Sequence, residues 1–429
     1  ERYSAFNMVA VKGELRKKRL KNRLIDTTLV DKLISLDETE YKCNHFKKGI
    51  IGAPDVQNCI TQSDIHVFNS DESSYLISEN RKTSIEKYTV QYFDEKNESN
   101  LNMFFSIGEQ AMKLQALIQQ PGIITPSSTE RCMQIAYGAK LNSGCISRQV
   151  GAVVTDKNFS IKSVGWNDVP AGSTPCNLRD IREIENDPNN IFTDFELGKG
   201  LEEYESSKEE IDNEDHLKRK DSKDFHLYLI EEYKDADEKV KKSGKPCSFC
   251  FKSAYNKFSG EDNQVHTRSL HAEENAMLQI SKYSGAALEG GNLFTTASPC
   301  ELCSKKAYQL GIKTIYYIDP YPGISMSHVL KNNQEFDPNL KFFQGAVGRA
   351  YHRLYEPFMA YKDEFSIETE IKLREPLKIQ KKKLMDLIEK ASTDNAIEKE
   401  VGKAINKLDE VGISKLIQDI MNTIKKEQH

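Results

Sequence analysis

The stretch that decides the fold reads His271-Ala272-Glu273-Glu274-Asn275-Ala276, and its complement follows as Ser298-Pro299-Cys300-Glu301-Leu302-Cys303. Residues 271–282 carry Ala276, Met277 and Ile280 at helical spacing with no Gly or Pro between them, which predicts a helix with His271 and Glu273 in its first turn. Residues 292–296 then predict a short strand, 301–310 a second helix closed by Gly311, and 313–318 a further strand. Strand and helix alternating in this way point to an α/β architecture. Cys300 and Cys303 straddle the start of the second helix, where the positive end of the helix dipole favours a thiolate.

A catalytic zinc takes three protein ligands and keeps a fourth position for water. His271, Cys300 and Cys303 supply that count and leave Glu273 unligated, free to move protons. Zinc lowers the pKa of its water from about 16 toward about 7, so a nucleophile exists at neutral pH without a strong base. Taken singly, a His is usually a surface or core residue, and a C-x-x-C serves equally as a redox or structural metal motif. Jointly they are far more restrictive, because a structural zinc would need a fourth ligand and would leave Glu273 without a role. H-x-E combined with P-C-x-x-C is the signature of zinc nucleobase deaminases, in which the Glu shuttles protons at C4 of cytosine or C6 of adenine.

From about Ser127 to Gly323 the chain resembles the deoxycytidylate deaminase branch of the cytidine deaminase superfamily. Besides the two metal-binding blocks, the resemblance rests on Gln149-Val150-Gly151-Ala152-Val153-Val154, on Gly165-Trp166-Asn167-Asp168-Val169-Pro170-Ala171-Gly172 and on Gly311-Ile312-Lys313. It implies a zinc cofactor, Glu273 as proton shuttle, and Asn167 as the group that holds the deoxyribose. Read from the residues alone, Asn167 followed by Asp-x-Pro is also ordinary turn chemistry. Trp166 stands where the family has Tyr and Asp168 where it has Gly, changes that bear on the pocket wall. Three further blocks, Gln119-Gln120-Pro121-Gly122-Ile123-Ile124-Thr125-Pro126, Ser143-Gly144-Cys145-Ile146-Ser147-Arg148-Gln149-Val150-Gly151 and Asp319-Pro320-Tyr321-Pro322, are similar to bacterial anti-phage deoxycytidine nucleotide deaminases. Those proteins join a P-loop-kinase-like domain to the deaminase, and the resemblance implies depletion of the dCTP pool during infection, a homo-oligomer, and for some members silencing by a regulatory RNA.

The expected organisation is a remnant of a P-loop nucleotide-kinase-like domain over 1–95, a linker helix over 96–126, a deaminase-like domain over 127–360 with a charged insert at 194–245, and a C-terminal helical extension over 361–429. Within the first segment, 6–11 and 64–69 predict strands. Residues 13–24 predict a basic helix with Arg16, Arg19 and Arg23, either a solvated face or a lid over phosphates. No G-x-x-x-x-G-K-[ST] occurs, so kinase activity is not supported; with Glu1 at the start, the phosphate-cradling loop is expected to have been removed or never to have existed. At 429 residues the chain exceeds one usual core. A net charge of −5 argues against a constitutive nucleic-acid surface and favours a small charged ligand, a deoxycytidine nucleotide in this reading. Nine cysteines, no signal peptide and no long apolar run predict a reducing, cytoplasmic setting without a membrane span.

A second C-x-x-C, Cys247 and Cys250, lies outside the catalytic set. With Cys176 and either His266 or Cys145 it could hold a second, structural zinc, as related deaminases often do, or these could be free buried thiols. The insert at 194–245 is rich in Glu, Asp and Lys and is expected to bury little, with His216 and His226 at the surface. Arg148 and Arg179 stand as phosphate contacts or solvated side chains. In the tail, Leu384, Leu387 and Ile388, then Val401, Ile405 and Leu408, then Ile413, Leu416 and Ile417 recur at helical steps, a stripe that needs a partner. The fold expected is α/β: a cytidine-deaminase-like mixed sheet of about five strands flanked by helices, a truncated P-loop-kinase-like α/β domain, and a helical tail. The function expected is hydrolytic deamination of dCTP or dCMP. The competing readings are a deaminase of tRNA or single-stranded DNA, opposed by the sugar-binding turn and the lack of a basic groove, and an RNA-regulated oligomeric scaffold.

Overall fold

The computed structural model describes residues 7–10, 20–22, 29–33, 35, 56–68, 107–199, 213–240, 244–261, 265–283, 285, 287–320, 325–332, 334, 336–370, 376–391, 402–409, 411–413, 415–417 and 419. The named strands and α-helices, in chain order, are β1 (Asn7–Ala10), α1 (Val56–Gln62), β2 (Ile65–Phe68), α2 (Ile107–Gln119), α3 (Ser128–Ala139), β3 (Gly151–Thr155), β4 (Ile161–Trp166), α4 (Asn213–Tyr233), α5 (Ala236–Val240), α6 (Phe251–Ser259), α7 (Ala272–Tyr283), β5 (Asn292–Ala297), α8 (Glu301–Gln309), β6 (Thr314–Asp319), β7 (Asn339–Phe342), β8 (Gly345–Ala346), α9 (Gly348–Tyr355), α10 (Tyr361–Thr369) and α11 (Leu377–Ala391). The four elements read around the metal-binding blocks, α7, β5, α8 and β6, lie within one residue of their expected bounds.

The principal sheet is mixed and five-stranded, in the order β4-β3-β5-β6-β7, as expected. β3 pairs antiparallel with β4 and β5, while β5, β6 and β7 run parallel. Every residue of β3, β5 and β6 is buried, because the sheet is covered on both faces. Alternate residues divide between the two layers: Ala152, Val154, Leu293 and Ile315 pack with Ala276, Met277 and Ile280 of α7, whereas Val153, Phe294, Tyr316 and Ile318 pack with Met133 and Ala136 of α3.

Two glycines allow both helices to sit directly on the strands. A Cβ on Gly151 would lie 2.0 Å from Ala136 O, and one on Gly165 would lie 2.4 Å from both Ala272 O and Ala276 N. Gly165 therefore sets how closely the helix behind His271 approaches β4.

A smaller sheet has the order β1-β2-β8, with β1 and β2 parallel and β8 antiparallel to β2, so residues 65–66 are paired with 345–346. The strands read at 6–11 and 64–69 are β1 and β2. The basic helix read at 13–24 lies outside the described residues except for 20–22, which are helical. Glu130 ties this region together: its carboxylate accepts from Ser127 N in a capping box at the start of α3, from Lys113 Nζ at 2.8 Å, from Ala346 N at 3.1 Å and from the Tyr355 hydroxyl at 2.7 Å.

The charged insert departs from expectation. Phe225 and Leu229 of α4 are fully buried, packed with Ile181, Ile184, Phe192, Phe249 and Ala254 in a separate aromatic core. The reason is spacing: apolar residues four apart form a narrow helical stripe that a composition dominated by charge conceals. Arg179 is drawn into the same core. It is fully buried, donates to Glu196 Oε2 at 2.5 Å and to Ile191 O at 2.9 Å, and lies 4.8 and 5.0 Å from the rings of Phe192 and Phe249. It is neither a solvated residue nor a phosphate contact. His226, read as a surface residue, is half-buried with Nδ1 2.9 Å from Glu196 O.

Glu1–Pro357 form one unit by contact density and Phe358–His429 a second. The second unit contains α10 and α11, and within it Leu384, Ile405 and Ile413 are buried. Among the described residues no helix is long and apolar enough to cross a membrane.

Candidate metal centre

The turn after β4 and the start of α7 are stitched together. Leu270 N donates to Asp168 O at 2.9 Å, Asn275 Nδ2 donates to Trp166 O at 3.0 Å, and His271 O accepts the first helical bond, from Asn275 N at 2.8 Å. His271 is thereby held at the helix entrance. On the neighbouring helix, Cys300 is the N-cap of α8 and Cys303 lies in its first turn. His271 Nδ1 is 3.2 Å from Cys300 Sγ and 3.5 Å from Cys303 Sγ, and the three donor atoms lie within 4.8 Å of one another. Tetrahedral zinc with Zn–N of about 2.0 Å and Zn–S of about 2.3 Å requires N···S separations of about 3.6 Å, so this donor set fits the ion with little adjustment.

The electrostatics suit a cation. The Cys303 thiol, by donating to Cys300, is the chief influence holding the Cys300 pKa down to about 4, while that same hydrogen bond pushes Cys303 strongly upward. His271 is raised, first by its hydrogen bond to Cys300. These shifts favour the thiolate at Cys300, the form in which a cysteine binds metal.

Glu273 stands beside these groups without joining them. It is 4% exposed, and burial is the main reason its carboxyl titrates above the ordinary range. The Thr295 hydroxyl lies 3.2 Å from Glu273 Oε1 and 2.7 Å from Ala297 O. One hydroxyl proton cannot serve both acceptors fully, so a protonated Glu273 can in return donate to Thr295 Oγ1.

Asn167 is buried and its amide bridges backbone: Oδ1 accepts from Val150 N and Nδ2 donates to Arg148 O, each at 2.7 Å. It lies one residue before Asp168, which bridges to Leu270, the residue before His271. Arg148 pairs with Asp319, whose side chain is fully buried. Among the described residues, the convergent metal-donor group is His271, Cys300 and Cys303. Of the residues read as a second metal site, Cys176 accepts from Arg268, Cys247 and Cys250 are half-buried, and His266 packs on Tyr255 and lies 3.4 Å from Glu261. Spacing alone could not place them, because the loops joining them are long.

Sequence reasoning missed Thr295, Asn275 and Asp319. Thr295 carried a usable signal: it is a hydroxyl residue in the short strand just before the cysteine pair. Asp319 was visible only as part of a motif block, since its partner Arg148 lies 171 positions away.

Similarity to known proteins falls on these same residues. Residues 253–319, which hold His271, Glu273, Cys300 and Cys303, match the family described as the cytidine and deoxycytidylate deaminase zinc-binding region. The deoxycytidylate deaminase of Enterobacteria phage T2 is 27% identical over 191 residues, 44% of this chain and 78% of that protein. The deoxycytidylate deaminase of Enterobacteria phage T4 is 28% identical over 196 residues, 44% of this chain and 76% of that protein. Among solved structures, the dCMP deaminase of cyanophage S-TIM5 in complex with dCMP and dUMP is 22% identical, covering 51% of this chain and 99% of that one at a TM-score of 0.28. The matched zinc-binding region and the converging donors of His271, Cys300 and Cys303 support a catalytic zinc.

Proposed function

We propose that this chain hydrolytically deaminates a deoxycytidine nucleotide, dCTP or dCMP, to the uracil nucleotide and ammonia. The observation that carries the reading is a buried carboxyl, Glu273, adjacent to a three-donor zinc site yet free of it. When bound, zinc supplies Lewis acidity and a water made acidic enough to react near neutral pH. Glu273 would take one proton from the attacking water and deliver it to cytosine N3, then take the remaining proton of the new hydroxyl and carry it to the departing amino group, so that water and the amino-pyrimidine become the oxo-pyrimidine and ammonia. Burial suits it to the work, because a carboxyl that must hold a proton near neutral pH needs its pKa raised.

Asn167 is assigned to the deoxyribose. Its position beside the Asp168–Leu270 bridge supports this, and one amide proton and one lone pair remain beyond its two backbone bonds. The blocks shared with anti-phage deaminases support a role in depleting the dCTP pool during infection, in the cytoplasm, by a homo-oligomer that a regulatory RNA can silence, with 1–95 as a kinase-like remnant. The test is direct. Glu273→Ala should keep its zinc and lose turnover of dCTP and dCMP, and Cys300→Ala should lose both. Ammonia release by the Glu273 variant at the wild-type rate would refute the assignment.

A further inference from the structure

Adjacent residues of a strand point to opposite faces, and β5 uses both. Thr295 faces Glu273, whereas Thr296 lines a cleft that also takes in Lys140, Arg148, Tyr137 and Thr61. The cleft is small and opens to solvent, with about 250 Å³ of space counting its open mouth.

Two of its lining side chains are cations, Lys140 and Arg148. Lys140 is half-buried, with Nζ 3.3 Å from the centroid of the Tyr137 ring, and among the described residues no carboxylate forms an ion pair with it. Asp64 attracts it from a distance while accepting from the backbone of Arg349. Burial, and in smaller part repulsion from Arg148, lower the Lys140 pKa to about 8. Arg148 lines the same space while pairing with Asp319. Thr296 Oγ1 accepts from Gly151 N at 3.1 Å, which leaves its hydroxyl proton to be donated. A lysine and an arginine beside a hydroxyl in a small cleft favour an anion with several acceptor oxygens.

We propose that the cleft formed by Lys140, Arg148 and Thr296 is an oxyanion site that takes a tetrahedral phosphate group. The group could be the phosphate end of the deaminated nucleotide or a separate free oxyanion. The site itself is independent of the deaminase reading.

Thermal unfolding of the zinc-loaded full chain, followed while inorganic phosphate is titrated at fixed ionic strength against chloride, tests the site. The wild type should show a saturable rise in Tm. Lys140→Gln should shift the phosphate midpoint by at least about tenfold, yet match or exceed the wild-type Tm without phosphate, because it removes a partly desolvated cation that lacks an ion-pair partner. Thr296→Val should weaken phosphate binding to a smaller degree. An effect of phosphate no greater than that of chloride, or a wild-type midpoint in Lys140→Gln, would overturn the proposal. Inhibition kinetics then identify the source: phosphate competing with dCMP but not with deoxycytidine marks the nucleotide's own phosphate, and phosphate binding without competition marks a separate oxyanion. Should no substrate turn over, the deaminase reading fails while the unfolding titration still decides the cleft.

Discussion

Gly165→Ala puts the geometry of the metal centre under the most direct strain. The new Cβ would sit 2.4 Å from Ala272 O and from Ala276 N, both backbone atoms of α7 that no side-chain rotation can remove. Reaching 3.0–3.4 Å requires the helix to retreat by about 0.6–1.0 Å, the difference between those separations and 2.4 Å. Ala272 lies between His271 and Glu273, so both move with it. The Glu273–Thr295 contact, already 3.2 Å, would then exceed hydrogen-bond range. Overpacking of this kind costs about 1–3 kcal/mol, and a misplacement near 1 Å can lower kcat/KM on the order of 100-fold. The assay is deamination of dCMP and dCTP alongside Tm and zinc content. Gly138→Ala is the control: a Cβ there meets nothing within 4 Å, inside a helix, so it should be neutral or stabilise by up to about 1 kcal/mol. If Gly165→Ala keeps the wild-type Tm and a kcat/KM within about twofold, the claim that this glycine sets the helix position is wrong.

Other perturbations address stability apart from chemistry. Arg179→Met strands Glu196 in the aromatic core and should cost about 3–5 kcal/mol in urea unfolding; adding Glu196→Gln should recover part of it, and a single-variant loss under about 1 kcal/mol would show that the pair contributes little. His66 is buried and, chiefly for that reason, its pKa falls to about 4 from 6.5. Because the unfolded chain binds this proton more tightly, the neutral ring's contribution, about 3 kcal/mol, is complete above pH 6.5 and is lost as the pH falls from there toward 4. His66→Gln should therefore show a stability gap from wild type that narrows through that window; a constant gap between pH 7.5 and 4.5 would contradict the burial argument.

The elements around the metal centre were legible because each is a local pattern. Ala276, Met277 and Ile280 recur at helical spacing, and β5 and β6 are short runs holding Leu293, Phe294, Ile315 and Ile318, bounded by Gly and Pro. The aromatic core of the insert was not legible, since Phe225 and Leu229 reach their partners Phe192 and Phe249 only after distant loops fold back. Composition averages over such pairs, and charge on the exposed faces of α4 outweighs them.

The same division runs through the site. Ligand identity came from residue type and separation along the chain: imidazole and thiolates are metal donors wherever they lie, and a helix entrance keeps near neighbours together. Partner choice came from tertiary structure. Packing between segments far apart in the chain brings Thr295 to Glu273, sets Arg148 against Asp319, and turns the Asn167 amide onto Arg148 and Val150. A hydrogen bond is won or lost within about half an ångström, and that distance is fixed by packing between segments far apart in the chain.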